Sequence, residues 1–508
     1  MTAPARTAPP SEVVIGLDVG TTAVKAVAFG VGTAWRHTGE VEYPLLQPAP
    51  GHQVQDQAVI GSAVTAALAE CAARTRGSRV LAVSVSAAMH GLIGLGRDMQ
   101  PLTPLVTWAD SRASAQARQL HESGCAADLH RTSGAPVHPM TPLTKLMWFR
   151  QEAPELFSRV RWWIGLKDHV LHLLTGALVT ELSSASGTGL LDMSARDWSA
   201  PALDLAGITA EHLPRILPST AVLELSAAAA ASTGLPAGTP VVAGAADGPL
   251  ANLGTGAIAP GTVALSLGTS GAVRTVVREP FADPHGRLFC YALTETAWVV
   301  GGAISNGGVV MRWAGDVFGR DLHDDRPNDA LLLDLASRAP AGSDGLIMLP
   351  YLLAERAPLW DPQLRGAFLG VRHLHTREHF VRAAMEGVAL QLSAIVADLD
   401  RLGPVTSVQL TGGAFRSALW RTVIAATLDR PAYATGDAEG SALGAAVLGL
   451  HALGRTGEIG AGLTLLGAAG EVGEPIRVAP ADVRAYRRNR DGLAALLGSY
   501  RSAASLFS

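Results

Sequence analysis

The sequence predicts an α/β protein built as two domains. Short β-branched runs alternate with stretches of helical periodicity along the chain. A strand, tight turn, strand pattern with Gly-Thr at its tip occurs near residue 20 and again near residue 269. At 508 residues the chain also exceeds what one hydrophobic core holds.

The first element is Val13-Val14-Ile15-Gly16-Leu17, a β-branched run that reads as a buried strand. It ends at Asp18-Val19-Gly20-Thr21-Thr22, and Ala23–Phe29 resumes as a second strand. The turn joins strand to strand. A P-loop or dinucleotide fingerprint needs a helix N-terminus directly after its glycines, so neither is present here. Val80–Ser86 reads as a strand and Ser111–Ser123 as a helix. Val241–Ala246 is a strand leading to Asp247, just after the Pro/Gly-rich passage Gly234–Pro240. A boundary there gives domains 12–255 and 256–508 behind a flexible leader, 1–11.

The second hairpin follows: strand Thr262–Leu267, turn Gly268-Thr269-Ser270-Gly271, strand Ala272–Val277. Two such hairpins suggest an internal duplication, although two unrelated β-turns explain the same pattern. Arg377–Leu402 has apolar residues at helical spacing and reads as a long helix. Val405–Leu410 is then a strand ending in Thr411-Gly412-Gly413-Ala414, and Pro480–Tyr500 packs as a terminal helix.

Composition excludes several classes. Apolar residues at 48% rule out disorder for most of the length, and a net charge of −4 with no basic stripe argues against nucleic acid. Cys71, Cys125 and Cys290 are odd in number and widely spaced, so neither a disulfide framework nor a zinc site is expected. No apolar run suggests a membrane span, and a cytoplasmic small-molecule enzyme is the expected class.

Phosphoryl transfer needs donors for phosphate oxygens, a carboxylate for magnesium and a base for the acceptor hydroxyl. Asp18 stands at a strand's C-terminal end, followed by Thr21, Thr22 and Lys25. We read Asp18 as the metal ligand and the other three as phosphate contacts; a plain turn with solvated side chains is the alternative. Gly268, Thr269 and Ser270 offer small residues for closing over a terminal phosphate. Asp247 reads either as a catalytic acid or as a helix cap before Gly248-Pro249.

Two longer patterns decide more. Met140-Thr141-Pro142-Leu143-Thr144-Lys145-Leu146-Met147-Trp148-Phe149 is one. The other is Gly366-Ala367-Phe368-Leu369-Gly370-Val371, followed by His379-Phe380-Val381-Arg382-Ala383-Ala384-Met385-Glu386. Both resemble the signatures of the FGGY family of carbohydrate kinases, and the resemblance runs from about Val13 to His451. It implies two ribonuclease-H-like, actin-like domains with the active site in an interdomain cleft, and it implies ATP and Mg2+ as cofactors. It further implies Asp247 as general base and Asp18 as the acid near the metal. Thr21, Thr22 and Lys25 match the first phosphate loop, and Gly268, Thr269 and Ser270 the second. Gly308, Gly412, Gly413, Ala414 and Ser417 match the nucleotide end.

For the sugar, the resemblance implies Met89, His90, Trp108, Asp110, Arg112 and Met140, with Asp247. The phrases Met89–Ile93, Thr107–Arg112, Gly134–Leu143 and Glu181–Asp192 are similar to the gluconate-phosphorylating members. A sugar acid brings a carboxylate, and Arg112 is the residue expected to grip it as a bidentate pair, with His90 or Lys145 assisting. The expected reaction is phosphorylation of a terminal hydroxyl, D-gluconate to 6-phosphogluconate. Phosphorylation of xylulose or another polyol, an actin-like ATPase without sugar kinase activity, and a catalytically silent sensor are the alternatives. The sequence is silent on oligomeric state, and a homodimer is allowed.

Overall fold

The structure, a computed structural model, describes residues 9–322, 328–361, 364–435, 440–468 and 473–504. Most of the expected leader lies outside these residues. Its last part does not fray: Ser78 Oγ donates to the Pro10 carbonyl at 2.6 Å, and the Arg79 amide donates to that of Ser11.

The chain forms two compact units. Of the described residues, the first holds those within 1–258, 276–299 and 438–470, and the second those within 259–275, 300–437 and 471–508.

The first unit is built on a six-stranded sheet. Its strands are β1 (Glu12–Val19), β2 (Ala23–Gly30) and β3 (Arg36–Glu42), then, after helix α1 (Gln57–Arg74), β4 (Arg79–Ala87). Helices α2 (Pro142–Glu152) and α3 (Leu166–Thr175) precede β5 (Val222–Glu224) and β6 (Pro240–Ala246), and helix α4 (Asp247–Gly254) follows directly. The order across the sheet is β5-β6-β4-β1-β2-β3. Strands β1, β2 and β3 form an antiparallel meander, while β4 and β6 run parallel to β1.

Strand β1 is apolar almost throughout because both of its faces are covered. Ile15, Leu17 and Val19 join a core with Ile60, Val64 and Leu68 of α1. Gly16 points to the opposite face, where a Cβ would lie 1.9 Å from the Ala442 carbonyl oxygen. Only glycine admits that approach.

The second unit repeats the plan. Strands β7 (Thr262–Leu267), β8 (Gly271–Val277) and β9 (Ala297–Ile304) lead to helix α5 (Gly308–Phe318). Helix α6 (Arg377–Leu399), strand β10 (Ser407–Thr411), helix α7 (Ala418–Leu428) and strand β11 (Ala432–Ala434) complete the run. Five of this sheet's six strands run in the order β9-β8-β7-β10-β11, which matches β3-β2-β1-β4-β6 of the first. A hairpin opens each sheet, and the next strands lie parallel to its first member. This repeated order bears out the two ribonuclease-H-like domains.

Helix α8 (Gly440–Ala452) belongs to the first unit and carries the Ala442 that covers Gly16. Helix α9 (Pro480–Ala504) belongs to the second.

One expectation needs correcting. Helix α6 is long and apolar enough to cross a membrane by length and composition, and most of it is buried inside the second unit. Arg382 and Glu386 interrupt the apolar run in sequence but pair with each other at 2.8 Å one turn apart. Cys71 and Cys290 are buried, and Cys125 is partly buried.

Candidate active site

In the first unit the chemistry gathers at the C-terminal ends of β1, β4 and β6. Val19, Ala87 and Ala246 are in register across these strands, so Asp18 lies level with Ser86 and Ala245, and Asp247 comes two residues further on, just past the end of β6. Asp18 accepts a hydrogen bond from Ser86 Oγ at 2.7 Å. Burial raises its carboxyl to about 6, and the nearby Asp247 charge adds to the rise. Asp247 is the first residue of α4, and its Oδ1 accepts from the Gly248 amide at 2.8 Å. Ala246 takes the cap position. Asp247 is therefore not the cap itself.

The β1–β2 tip is closed by the Gly20 amide donating to Ala23 O and by Tyr43 Oη donating to Gly20 O at 2.5 Å. The Thr22 carbonyl accepts from the Tyr43 amide, and the Thr21 carbonyl accepts from the Gln55 side chain. Trp108 Nε1 donates to Thr21 Oγ1 at 2.9 Å, which joins the expected phosphate tip to an expected sugar residue. Lys25 lies opposite Asp18 on β2, and its Nζ sits 3.2 Å from Glu40, both side chains being partly exposed.

His90 follows β4 with φ +64°, a left-handed conformation. Its Nδ1 is 2.7 Å from Gly187 O, and its ring meets the edge of Tyr291. Met89 and Met140 are both buried. They shape the walls of the loops.

Arg112 does something other than expected. Its Nε and Nη2 each donate to Asp110 at 2.8 Å, and its guanidinium lies 5.0 Å over the Trp148 ring. Asp110 also accepts from the Gln53 amide at 2.7 Å, and its side chain is fully buried. The bidentate grip foreseen for a substrate carboxylate is thus spent inside the protein. Asp110 and Arg112 shape the loop that carries Trp108. Arg112→Ala is therefore expected to lower kcat/KM for acid and neutral sugars alike, by about tenfold to a hundredfold. A coupled ADP assay on both sugar types checks this. A loss confined to the acid restores the carboxylate contact.

Two lysines that sequence reasoning undervalued are wholly buried. Lys145 of α2 donates to His90 O at 2.6 Å and Thr107 O at 2.8 Å, tying together the two loops of expected sugar contacts. Burial pushes its ammonium down to about 7, although Asp110 works against this. Lys167 of α3 donates to the carbonyls of Val85, Ala243 and Ala245. Burial lowers it to about 8, opposed chiefly by Glu181. The sequence signal was a lysine inside an apolar run, which marks a buried cation without naming its partners.

In the second unit the β7–β8 tip docks on the start of α5. The amides of Gly308 and Val309 donate to Gly268 O at 2.7 Å and Thr269 O at 3.1 Å. A Cβ on Gly308 would lie 2.6 Å from Gly268 O, so glycine is required there. Gly268 and Thr269 are exposed, and the tip is closed by the Gly268 amide donating to Ser270 O. Arg312, overlooked in the sequence, reaches Thr269 Oγ1 at 3.3 Å from α5. Its signal was a position one turn into the helix that follows the glycines.

Gly412 has φ +106°, and a Cβ there would lie 2.5 Å from Leu267 O, which brings the Gly412–Ala414 turn to the end of β7. Ser417 caps α7 by accepting from the Trp420 amide at 3.4 Å. Among the described residues, no group of three or more His, Cys, Asp or Glu side chains is arranged to hold a metal.

Repeated sheets whose hairpin tips carry Gly-Thr, with two acids at the strand ends of the first, define a phosphotransferase-type fold. Residues 13–254 match the N-terminal domain of the FGGY family of carbohydrate kinases, and residues 263–453 match its C-terminal domain. The chain belongs to that family.

It is 38% identical over 455 residues to a gluconokinase of Bacillus subtilis, covering 87% of this chain and 88% of the relative. It is 31% identical over 444 residues to a xylulose kinase of the same organism, covering 86% and 87%. A solved structure of gluconate kinase from Lactobacillus acidophilus superposes with a TM-score of 0.91 at 32% identity, covering 98% of this chain and 100% of that one.

Proposed function

We propose that the chain transfers the γ-phosphoryl group of ATP to a terminal hydroxyl of a sugar acid, converting D-gluconate to 6-phosphogluconate. The observation that carries this reading is that Asp18 at the end of β1 and Asp247 just past the end of β6 lie close enough for the Asp247 charge to act on Asp18, beside the loops of Met89, His90 and Trp108. The likeness to a gluconokinase at 38% identity supports the choice of acceptor.

In this reading Asp247 accepts the proton of the attacking hydroxyl as its oxygen bonds to the γ-phosphorus and the bond to the β-phosphate oxygen breaks. The α4 amide of Gly248 holds the carboxylate in place for that transfer. The backbone and hydroxyl groups of Gly268, Thr269 and Ser270, with Gly308 and Arg312, receive the phosphates. Gly412, Gly413 and Ala414 leave room for the nucleotide to lie close to backbone.

Mg2+ fits the acids. Burial and the nearby Asp247 charge raise the cost of ionising Asp18, while the neighbouring Lys25 is drawn to Glu40. Such a pair suits a divalent cation with Asp18 as its protein ligand, and the ion would neutralise phosphate charge when bound.

A pH dependence follows from the raised carboxyl. Asp18 is protonated below about 6, so protons and Mg2+ compete for it there. The Mg2+ concentration giving half-maximal rate is expected to climb as pH falls below 6 and to level off above it. Asp18→Asn is expected to remove that climb. A climb that persists unchanged in Asp18→Asn would place the metal elsewhere.

A ketose acceptor is the second reading, favoured by a xylulose kinase structure from Lactobacillus acidophilus with the same TM-score of 0.91. A substrate panel followed by ADP release separates the two. Preference for gluconate over xylulose supports the first reading, and the reverse order supports the second.

A further inference from the structure

Strand β6 does not run straight to Asp247. Its pairing with β4 jumps from Val242–Ser84 to Ala245–Ser86, so β6 has one residue more than its partner over this stretch. The extra residue makes a bulge at Ala243-Gly244. Gly244 has φ +76°, and a Cβ there would lie 1.8 Å from Val85 O, so the bulge tolerates no side chain.

A bulge strands backbone carbonyls away from the ladder, and buried carbonyls need donors. Here Lys167 meets the need. Its three N–H groups reach three carbonyls: Val85 on β4, and Ala243 and Ala245 on either side of Gly244. The Glu181 carboxylate lies 3.9 Å from the ammonium and balances its charge, itself held by the amides of Ser183 and Ser184. Ser183 Oγ then accepts from the Ala246 amide at 3.1 Å, the last bond before Asp247.

We propose that Lys167 is a positioning residue: its ammonium fills the bulge in β6 and so fixes the direction in which Asp247 leaves that strand. The inference rests on the reading of Asp247 as the base. It assigns Lys167 no contact with sugar or nucleotide.

The test is Lys167→Met, measured as kcat and as KM for both substrates, with the sugar that the parent protein turns over best. Thermal melting and stoichiometric ATP binding establish the folded fraction. The expected result is a kcat about a hundredfold lower per folded molecule, with both KM values kept within about twofold, because a misplaced base slows chemistry more than binding. A kcat within threefold of the parent overturns the proposal, as does a loss carried wholly by KM.

Should Lys167→Met fail to fold, Ser183→Ala reads the same claim more gently by releasing only the Ala246 amide. A fivefold fall in kcat at constant KM supports it, and an unchanged kcat overturns it. Asp247→Asn is run beside both. An active Asp247→Asn sinks the base reading itself; an inactive Asp247→Asn with a fully active Lys167→Met sinks this inference alone.

Discussion

Asp247→Asn is expected to lower kcat about a thousandfold while leaving ATP binding within about twofold of the parent. The amide keeps the shape of the side chain and its acceptor oxygen for Gly248, so α4 still starts where it does. What the amide lacks is basicity. Pre-steady-state turnover and nucleotide titration together check both halves of the expectation. Near-normal turnover would remove the base from the mechanism.

The second large effect concerns stability and lies in the second unit. Glu386 of α6 is buried and accepts from Arg382 Nε, from Tyr486 Oη, from the Gly342 amide and from Ser343 Oγ, all at 2.8 to 2.9 Å. Arg382 also donates to Tyr486 Oη at 2.7 Å, so the terminal helix α9 is locked to α6 through one phenol. Arg382→Met strands a buried carboxylate and is expected to cost about 3 kcal/mol. That corresponds to a melting point lower by about 10 °C.

Tyr486→Phe leaves the ion pair intact and is expected to cost about 1 kcal/mol. Calorimetry on the two variants checks the order. Equal losses would mean that the network does not centre on the ion pair. The tail, for which the sequence offered no role, thus clamps the long helix that carries the family's second signature.

The hairpins were legible because a β-branched run, a small-residue turn and a second run leave a local mark. The acid at 247 was only half legible: a buried strand ending at a carboxylate among small residues fits a catalytic acid or a helix cap, and the family resemblance alone chose between them. What escaped was non-local. Arg112 looked like a substrate grip because its guanidinium fork suits a carboxylate. Its true partner, Asp110, sits two residues away on a loop whose shape no periodicity reveals.

Lys145 and Lys167 meet carbonyls contributed by β4, β6 and the loops after them, from 38 to 82 residues distant. Only the fold brings those together. The return of 276–299 and 438–470 to the first unit was hidden likewise, since the contacts that define it join distant segments. Gly16 against Ala442 is one such contact, and a lone glycine in a strand pattern hints at close backbone approach without saying whose.

The most direct test of the kinase assignment is a 31P NMR spectrum of the products formed from MgATP and D-gluconate. The account predicts one phosphomonoester signal on the C6 oxygen, in equal amount to ADP, and little ADP when sugar is withheld. ADP accompanied only by inorganic phosphate, at a rate indifferent to gluconate, would contradict it.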